Sequence, residues 1–149
     1  MDGILTRSLE SNEDQPSSAR TIEIDGRGYI WPVAFLVDGK HVVCGGEEGK
    51  IRRRRVKDGM EVGMPMDTGS ALFNITVSRD GMWIVSGTRG GLVQVWNADD
   101  GEKVIEFKGH RSGVNAVDVS PDSTRIACGS YYKTCVWSLA TARPMESRQ

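Results

Sequence analysis

The sequence predicts an all-β chain assembled from a repeated four-stranded antiparallel unit, and three observations carry that reading. The first is a fixed period. Asp38-Gly39 returns as Asp80-Gly81 and, altered, as Asp122-Ser123, a spacing of 42 residues each time. Val33, Ile75 and Val117 keep the same spacing, as do Gly45, Gly87 and Gly129. Self-similarity at a fixed spacing in this range marks a repeat architecture. The second is turn chemistry. The chain has 18 glycines in 149 residues, well above the average of roughly 7%, and many of them separate short β-branched runs. The third is that no segment sustains the 3.6-residue apolar periodicity of a helix.

Taken in order, residues 1–20 are polar apart from Ile4-Leu5 and read as a flexible leader. Order is expected from Thr21, where Ile22-Glu23-Ile24 alternates as a strand before the turn Asp25-Gly26. In the 42-residue frame this lone strand, 21–24, falls on Met64 and Met66, so it corresponds to the last strand of a unit. The clearest unit runs Phe73–Val77, Trp83–Ser86, Leu92–Trp96 and Lys103–Phe107. Its first turn is Ser78-Arg79-Asp80-Gly81, where Asp-Gly supplies the positive backbone φ of a tight hairpin. The unit before it offers Val33–Leu36, His41–Cys44, Ile51–Arg55 and Glu61–Met64. The unit after it offers Val114–Val119, Arg125–Cys128 and Thr134–Trp137, with a fourth strand fading into 140–144. The units are expected at about 33–66, 75–108 and 117–143, with 144–149 as a C-terminal tail.

The third unit reads Gly109-His110, then Val114-Asn115-Ala116-Val117, Ser120-Pro121-Asp122, Gly129-Ser130 and Val136-Trp137-Ser138. It resembles the WD40 repeat, with its Gly-His pair, its Ser-Pro-Asp turn and its closing Trp. The second unit resembles it through Ser86-Gly87-Thr88 and Val95-Trp96-Asn97. The first does so less, with Arg54 standing where the Trp would be. The resemblance covers residues 21–143. It implies about three four-stranded blades forming an open, partial propeller. It also implies a structural hydrogen-bond network, for which His110, Ser130 and Trp137 supply three groups while Tyr132 occupies the Asp position. A partner-contact face would include Trp31, Phe73 and Asn115 at the lead-in to the first strands, and Glu47, Arg89 and Tyr131 after the second. Aromatic and Arg side chains are frequent interface anchors, although Trp31 and Phe73 suit the core between blades equally well.

Composition excludes several classes of function. A net charge of −1 gives no general pull toward nucleic acid or anionic membrane. No stretch approaches the roughly 18 continuous apolar residues of a membrane span, and the first 20 residues lack the apolar centre of a signal peptide. No metal-ligand spacing, phosphate loop or nucleophile elbow appears, so neither catalysis nor a cofactor is expected. Cys44 and Cys128 occupy the same slot in non-adjacent units, so a disulfide between them is not expected. Free thiols in a reducing, intracellular setting, cytoplasmic or nuclear, fit best. The sharpest local feature is Lys50, Arg52, Arg53, Arg54, Arg55 and Lys57. Strand alternation puts only two of the four arginines on one face, and Glu47, Glu48, Asp58 and Glu61 lie close by in sequence.

The functional expectation is a non-catalytic protein–protein interaction scaffold, part of or contributing to a larger propeller. Its partners would be other proteins, with self-association through open blade faces also expected, since one blade cannot bury both its faces alone. Two alternatives stand beside it: a truncated product without independent function, and a weak nucleic-acid or nuclear-targeting role through Arg52–Arg55.

Overall fold

The computed structural model describes residues 3–7, 20–24, 28–139 and 143–144. Among them there are fourteen strands and no helix. Strands β1 (Gly3–Arg7) and β2 (Arg20–Ile24) form a two-stranded antiparallel sheet. Blade one contains β3 (Ile30–Phe35), β4 (His41–Gly46), β5 (Lys50–Arg55) and β6 (Met66–Asp67). Blade two contains β7 (Leu72–Val77), β8 (Trp83–Thr88), β9 (Leu92–Asn97) and β10 (Lys103–Lys108). Blade three contains β11 (Ala116–Val119), β12 (Arg125–Gly129), β13 (Thr134–Ser138) and β14 (Arg143–Pro144). Each blade is a sequential antiparallel meander, and together they form an open partial propeller.

Two departures from the sequence reading concern strand placement. Against the expected leader, Gly3–Arg7 is a strand in register with β2, from Gly3 opposite Ile24 to Arg7 opposite Arg20. A strand at Arg20–Ile24 offers an open ladder edge, and the leader's one apolar pair, Ile4-Leu5, lies in the segment that takes it. Residues 8–19 and 145–149 lie outside the described residues. The fourth strand of blade one is also not Glu61–Met64. Glu61 makes a single bridge to Arg54, and the strand itself is Met66–Asp67, paired with Lys50 and Ile51. Gly59 and Gly63 have φ values of 74° and 75°, and Pro65 follows without an N–H for the ladder. That punctuation breaks the pairing and leaves Met64 exposed.

Packing follows the alternation of side chains across each strand. In β8, Ile84 enters the core shared with blade one, while its neighbour Val85 enters the core shared with blade three. In β9, Trp96 goes to the first core, and Val93 and Val95 go to the second. Leu36, Val43, Ile51 and Met66 of blade one meet Leu72, Ile75, Ile84 and Trp96 of blade two. Val117, Val119, Ile126 and Cys128 of blade three complete the other seam. Blade two is therefore covered on both faces. Among the described residues, blade one meets a neighbouring blade on one face only, and Val33 and Phe35 on its other face are 64% and 63% exposed.

The 42-residue repeat is anchored at the turn joining the first two strands of each blade. Asp38 accepts N–H bonds from Lys40 and His41, at 2.7 and 3.2 Å, and meets His41 Nδ1 at 2.8 Å. Asp80 accepts from Ser78 Oγ at 2.6 Å and Met82 N at 2.9 Å. Asp122 accepts from Thr124 Oγ1 at 2.6 Å, Ser120 Oγ at 2.7 Å and Thr124 N at 3.1 Å. The Thr124 hydroxyl, then Ser120, holds the Asp122 carboxyl down at about 2. The residue after each Asp is left-handed: Gly39 at 67°, Gly81 at 77° and Ser123 at 61°.

Two expectations follow. Ser123→Gly relieves a left-handed side-chain conformation and raises stability by about 0.5–1 kcal/mol in urea denaturation; an unchanged or lowered midpoint would contradict the strain. Because the folded pKa of Asp122 lies below its ordinary value of 3.8, the turn's contribution is complete above that value and is lost as pH falls toward 2. Asp122→Asn should therefore flatten the acid limb of the stability curve in that interval. A limb that keeps its slope would mean other carboxylates control it.

Candidate functional site

The turns after the second strands, at Glu47–Gly49, Arg89–Gly91 and Tyr131–Lys133, are ordered by short backbone bonds. Gly49 N–H reaches Gly46 O, Gly91 N–H reaches Thr88 O, and Ser130 N–H reaches Lys133 O. The connector into blade three docks on the end of β8, with Val114 N–H on Thr88 O at 2.8 Å. There the half-buried Phe73 ring lies under the Arg89 guanidinium, 5.6 Å from Cζ to ring centroid. Phe73 also packs on Gly113 so closely that a Cβ there would fall 2.7 Å from the ring. Tyr131 and Tyr132 form a second pair, with centroids 5.6 Å apart. They are 79% and 88% exposed.

The six contact residues expected from sequence are thus not one cluster. Phe73 and Arg89 form one unit. Tyr131 pairs with Tyr132, a residue noted only for filling the Asp position. Asn115 is exposed, with its N–H on Gly129 O. Glu47 belongs to blade one, where its N–H meets Tyr29 O at 3.0 Å and its carboxylate accepts from Tyr29 N at 3.3 Å. Trp31 lies in β3, with its side chain outside the described residues.

The expected hydrogen-bond network of His110, Ser130 and Trp137 is arranged differently. His110 Nε2 meets Cys128 Sγ at 3.3 Å, whereas Ser130 Oγ turns to Lys133 O at 3.5 Å. The Trp137 indole N–H is buried beside the Cys128 sulfur without an ordinary hydrogen bond. Ser130 is two residues beyond Cys128 on the same alternation, and it sits past the strand end, where its hydroxyl finds the turn. Burial lowers the His110 pKa and raises that of Cys128 to about 11, so both groups are neutral at pH 7.

A fuller network sits in blade two, around a residue that the sequence reading overlooked. Trp96 Nε1 donates to Ser86 Oγ at 3.0 Å, and Ser86 Oγ donates to Gln94 Oε1 at 3.2 Å. Gln94 Nε2 donates to Thr68 O and Glu106 Oε1, both at 2.9 Å. Lys103 Nζ also meets Glu106 at 2.8 Å. The Gln94 hydrogen bond, then Lys103, lowers the Glu106 pKa. Gln94 is 1% exposed. A single polar residue in Val93-Gln94-Val95-Trp96, on the same strand face as Trp96, was the available signal.

The arginine run is largely absorbed within the fold. Arg52 joins Glu48 at 2.7 Å and Glu61 at 2.8 Å, while Arg55 joins Asp58 at 2.6 Å. Arg53 reaches across the seam to the carbonyls of Ala98 and Asp99. Arg54 does not escape to solvent. It is 2% exposed and donates to Gly59 O at 3.3 Å, and its Nε has no partner among the described residues.

The family model of the WD domain, G-beta repeat, matches residues 67–97 and 101–138. The chain carries WD40 repeats. Those residues run from Asp67 of β6 through β13, and within them Trp96 and Trp137 hold the slot that Arg54 fills in blade one. Protein groucho of Drosophila melanogaster is 27% identical over 147 residues, which is 93% of this chain and 19% of that protein. Eukaryotic translation initiation factor 3 subunit I of Neurospora crassa is 33% identical over 78 residues, 52% of this chain and 22% of that protein. This chain thus spans about a fifth of the length of these curated relatives. The solved WD40 repeats of RRP9 and the structure of U3-55K each align with a TM-score of 0.74 over 80% of this chain. Identities are 22% and 21%, over 39% and 40% of those structures, so they speak to the WD40 fold.

Gln94→Ala should cost about 2–4 kcal/mol in urea denaturation, because Ser86, Thr68 and Glu106 lose a buried partner. Ser130→Ala should cost less than about 0.5 kcal/mol. Equal losses would mean that Ser130 belongs to a buried network.

Proposed function

We propose that this chain is part of a non-catalytic WD40 interaction scaffold that meets other proteins through the turn face of blades two and three. The observation that carries this reading is a pair of exposed tyrosines, Tyr131 and Tyr132, in the turn of blade three, together with Arg89 over the Phe73 ring at the corresponding turn of blade two. Rigid aromatic and Arg side chains supply interface energy at low ordering cost. Asn115 extends the face, and Glu47 lies at the corresponding turn of blade one. A nucleic-acid role through Arg52–Arg55 is disfavoured by the internal partners of those guanidinium groups.

The exposed Val33 and Phe35 favour a second element of the reading. The outward face of blade one is of the kind that Ile75 and Val77 present to blade one within the chain, so it suits another blade-like surface from a longer propeller or a second copy. Light scattering after size exclusion distinguishes a defined assembly from the polydisperse aggregate expected of a product without independent function.

Arg89→Ala and Tyr131→Ala should each leave the melting temperature within about 2 °C of the parent, since neither side chain fills a core. Peptides selected by display on the parent chain should be lost by the double variant. Retention of the same peptides, or a large fall in melting temperature, would remove these residues from the contact face.

A further inference from the structure

We propose that Cys128 and Cys135 are a reversible thiol pair that closes to a disulfide across β12 and β13. The two residues are direct register partners in the antiparallel ladder. Ser130 N–H bonds Lys133 O two residues toward the turn, so alternation makes 128 and 135 a hydrogen-bonded pair. Such partners have Cα atoms about 5.5 Å apart, and disulfides bridge this separation. Directly opposed residues share one face of the sheet. Both thiols are free.

The equivalent pairs in the other blades are Cys44 opposite Arg52 and Ser86 opposite Gln94. Blade three alone places two thiols there. Access follows from the short outer strand: β14 pairs only with Trp137 and Ser138, leaving Thr134–Val136 without a ladder partner on that side among the described residues. Cys135 is half-buried, whereas Cys128 is buried against His110. His110 Nε2 is in place to accept the Cys128 proton, and its Nδ1 has no partner among the described residues. Among the described residues, the Lys133 charge acts on both His110 and Cys128.

The oxidant is a small-molecule disulfide, such as oxidised glutathione. The Cys135 thiolate attacks one sulfur of that disulfide, forming a mixed disulfide and releasing the first carrier thiolate, which takes up the Cys135 proton from solvent. Cys128 then passes its proton to His110 Nε2 and its sulfur attacks Cys135. The bond to the carrier breaks, and the second carrier thiolate leaves with the proton from His110. Two protein thiols lose two electrons and two protons, and one carrier disulfide gains them. Closure ties together the two ends of the turn that carries Tyr131 and Tyr132.

The test is to equilibrate the chain with oxidised glutathione or dithiothreitol and follow intact mass and peptide mapping. Oxidation should remove two hydrogens (about 2 Da), link Cys128 to Cys135, and reverse under dithiothreitol. Cys44→Ser should behave like the parent, and Cys135→Ser should form no intramolecular bridge. His110→Gln should accumulate the mixed disulfide and close about tenfold more slowly. A persistent mixed disulfide in the parent, a bridge through Cys44, or covalent dimers would overturn the pairing. Closure at the parental rate in His110→Gln would overturn the role of His110. If that variant does not fold, the two cysteine variants still decide the pairing.

Discussion

The apolar seam between neighbouring sheets is the contact on which everything else depends. A four-stranded meander has two faces and too little material to bury either against itself. Ile84 and Val85, adjacent in one strand, enter two different cores, and this single alternation joins three sheets. The turn faces exist as surfaces only because the seams fix their angles. The buried polar groups of blade two likewise depend on the seam: Ser86, Gln94 and Trp96 exclude water together because blade one lies over them. Unpaired, such groups would be costly.

Each blade answers the same local problem with different chemistry. Blade two uses hydroxyl, amide and indole. Blade three puts Cys128 in place of Ser86 and brings a histidine to the sulfur. Blade one puts Arg54 in place of Trp96 and keeps it buried, with one backbone carbonyl as acceptor and with Arg52 held by two carboxylates nearby. The segment after β5 folds back over Arg54 through Gly59, a role that a neighbouring blade plays for Trp96. That local solution accompanies the broken fourth strand of blade one, and of this blade only Asp67 falls within the family match.

Much of the fold was legible because period, turn chemistry and strand alternation agreed. Asp38, Asp80 and Asp122 mark three equivalent turns, and the strands between them fall close to their expected positions. What was not legible depended on atoms distant in sequence. Pairing of Gly3–Arg7 with β2 leaves no local signature in a polar segment. The choice between Ser130 and Cys128 as partner of His110 turns on where β12 ends, a matter of one or two residues. The pairing of Phe73 with Arg89 was not apparent either: the two flank the Leu72–Thr88 pair of the β7–β8 ladder, at the register shift between Leu72 and Asn74. Apart from Tyr132, the residues of the proposed contact face were named from the sequence, while the Phe73–Arg89 cation–π pair and the Tyr131–Tyr132 aromatic pair came from packing.

The unequal covering of the three blades has a kinetic consequence. Among the described residues, blade two shares both its faces with neighbours, blades one and three each share one, and β14 pairs over two residues. In a stack of this kind, opening proceeds from the least supported end. Amide protons of β13 should thus exchange with solvent well before those of β8 and β9. The molecule is ordered along its length as a gradient, firmest at its centre and loosest beside the turn that holds its two exposed tyrosines.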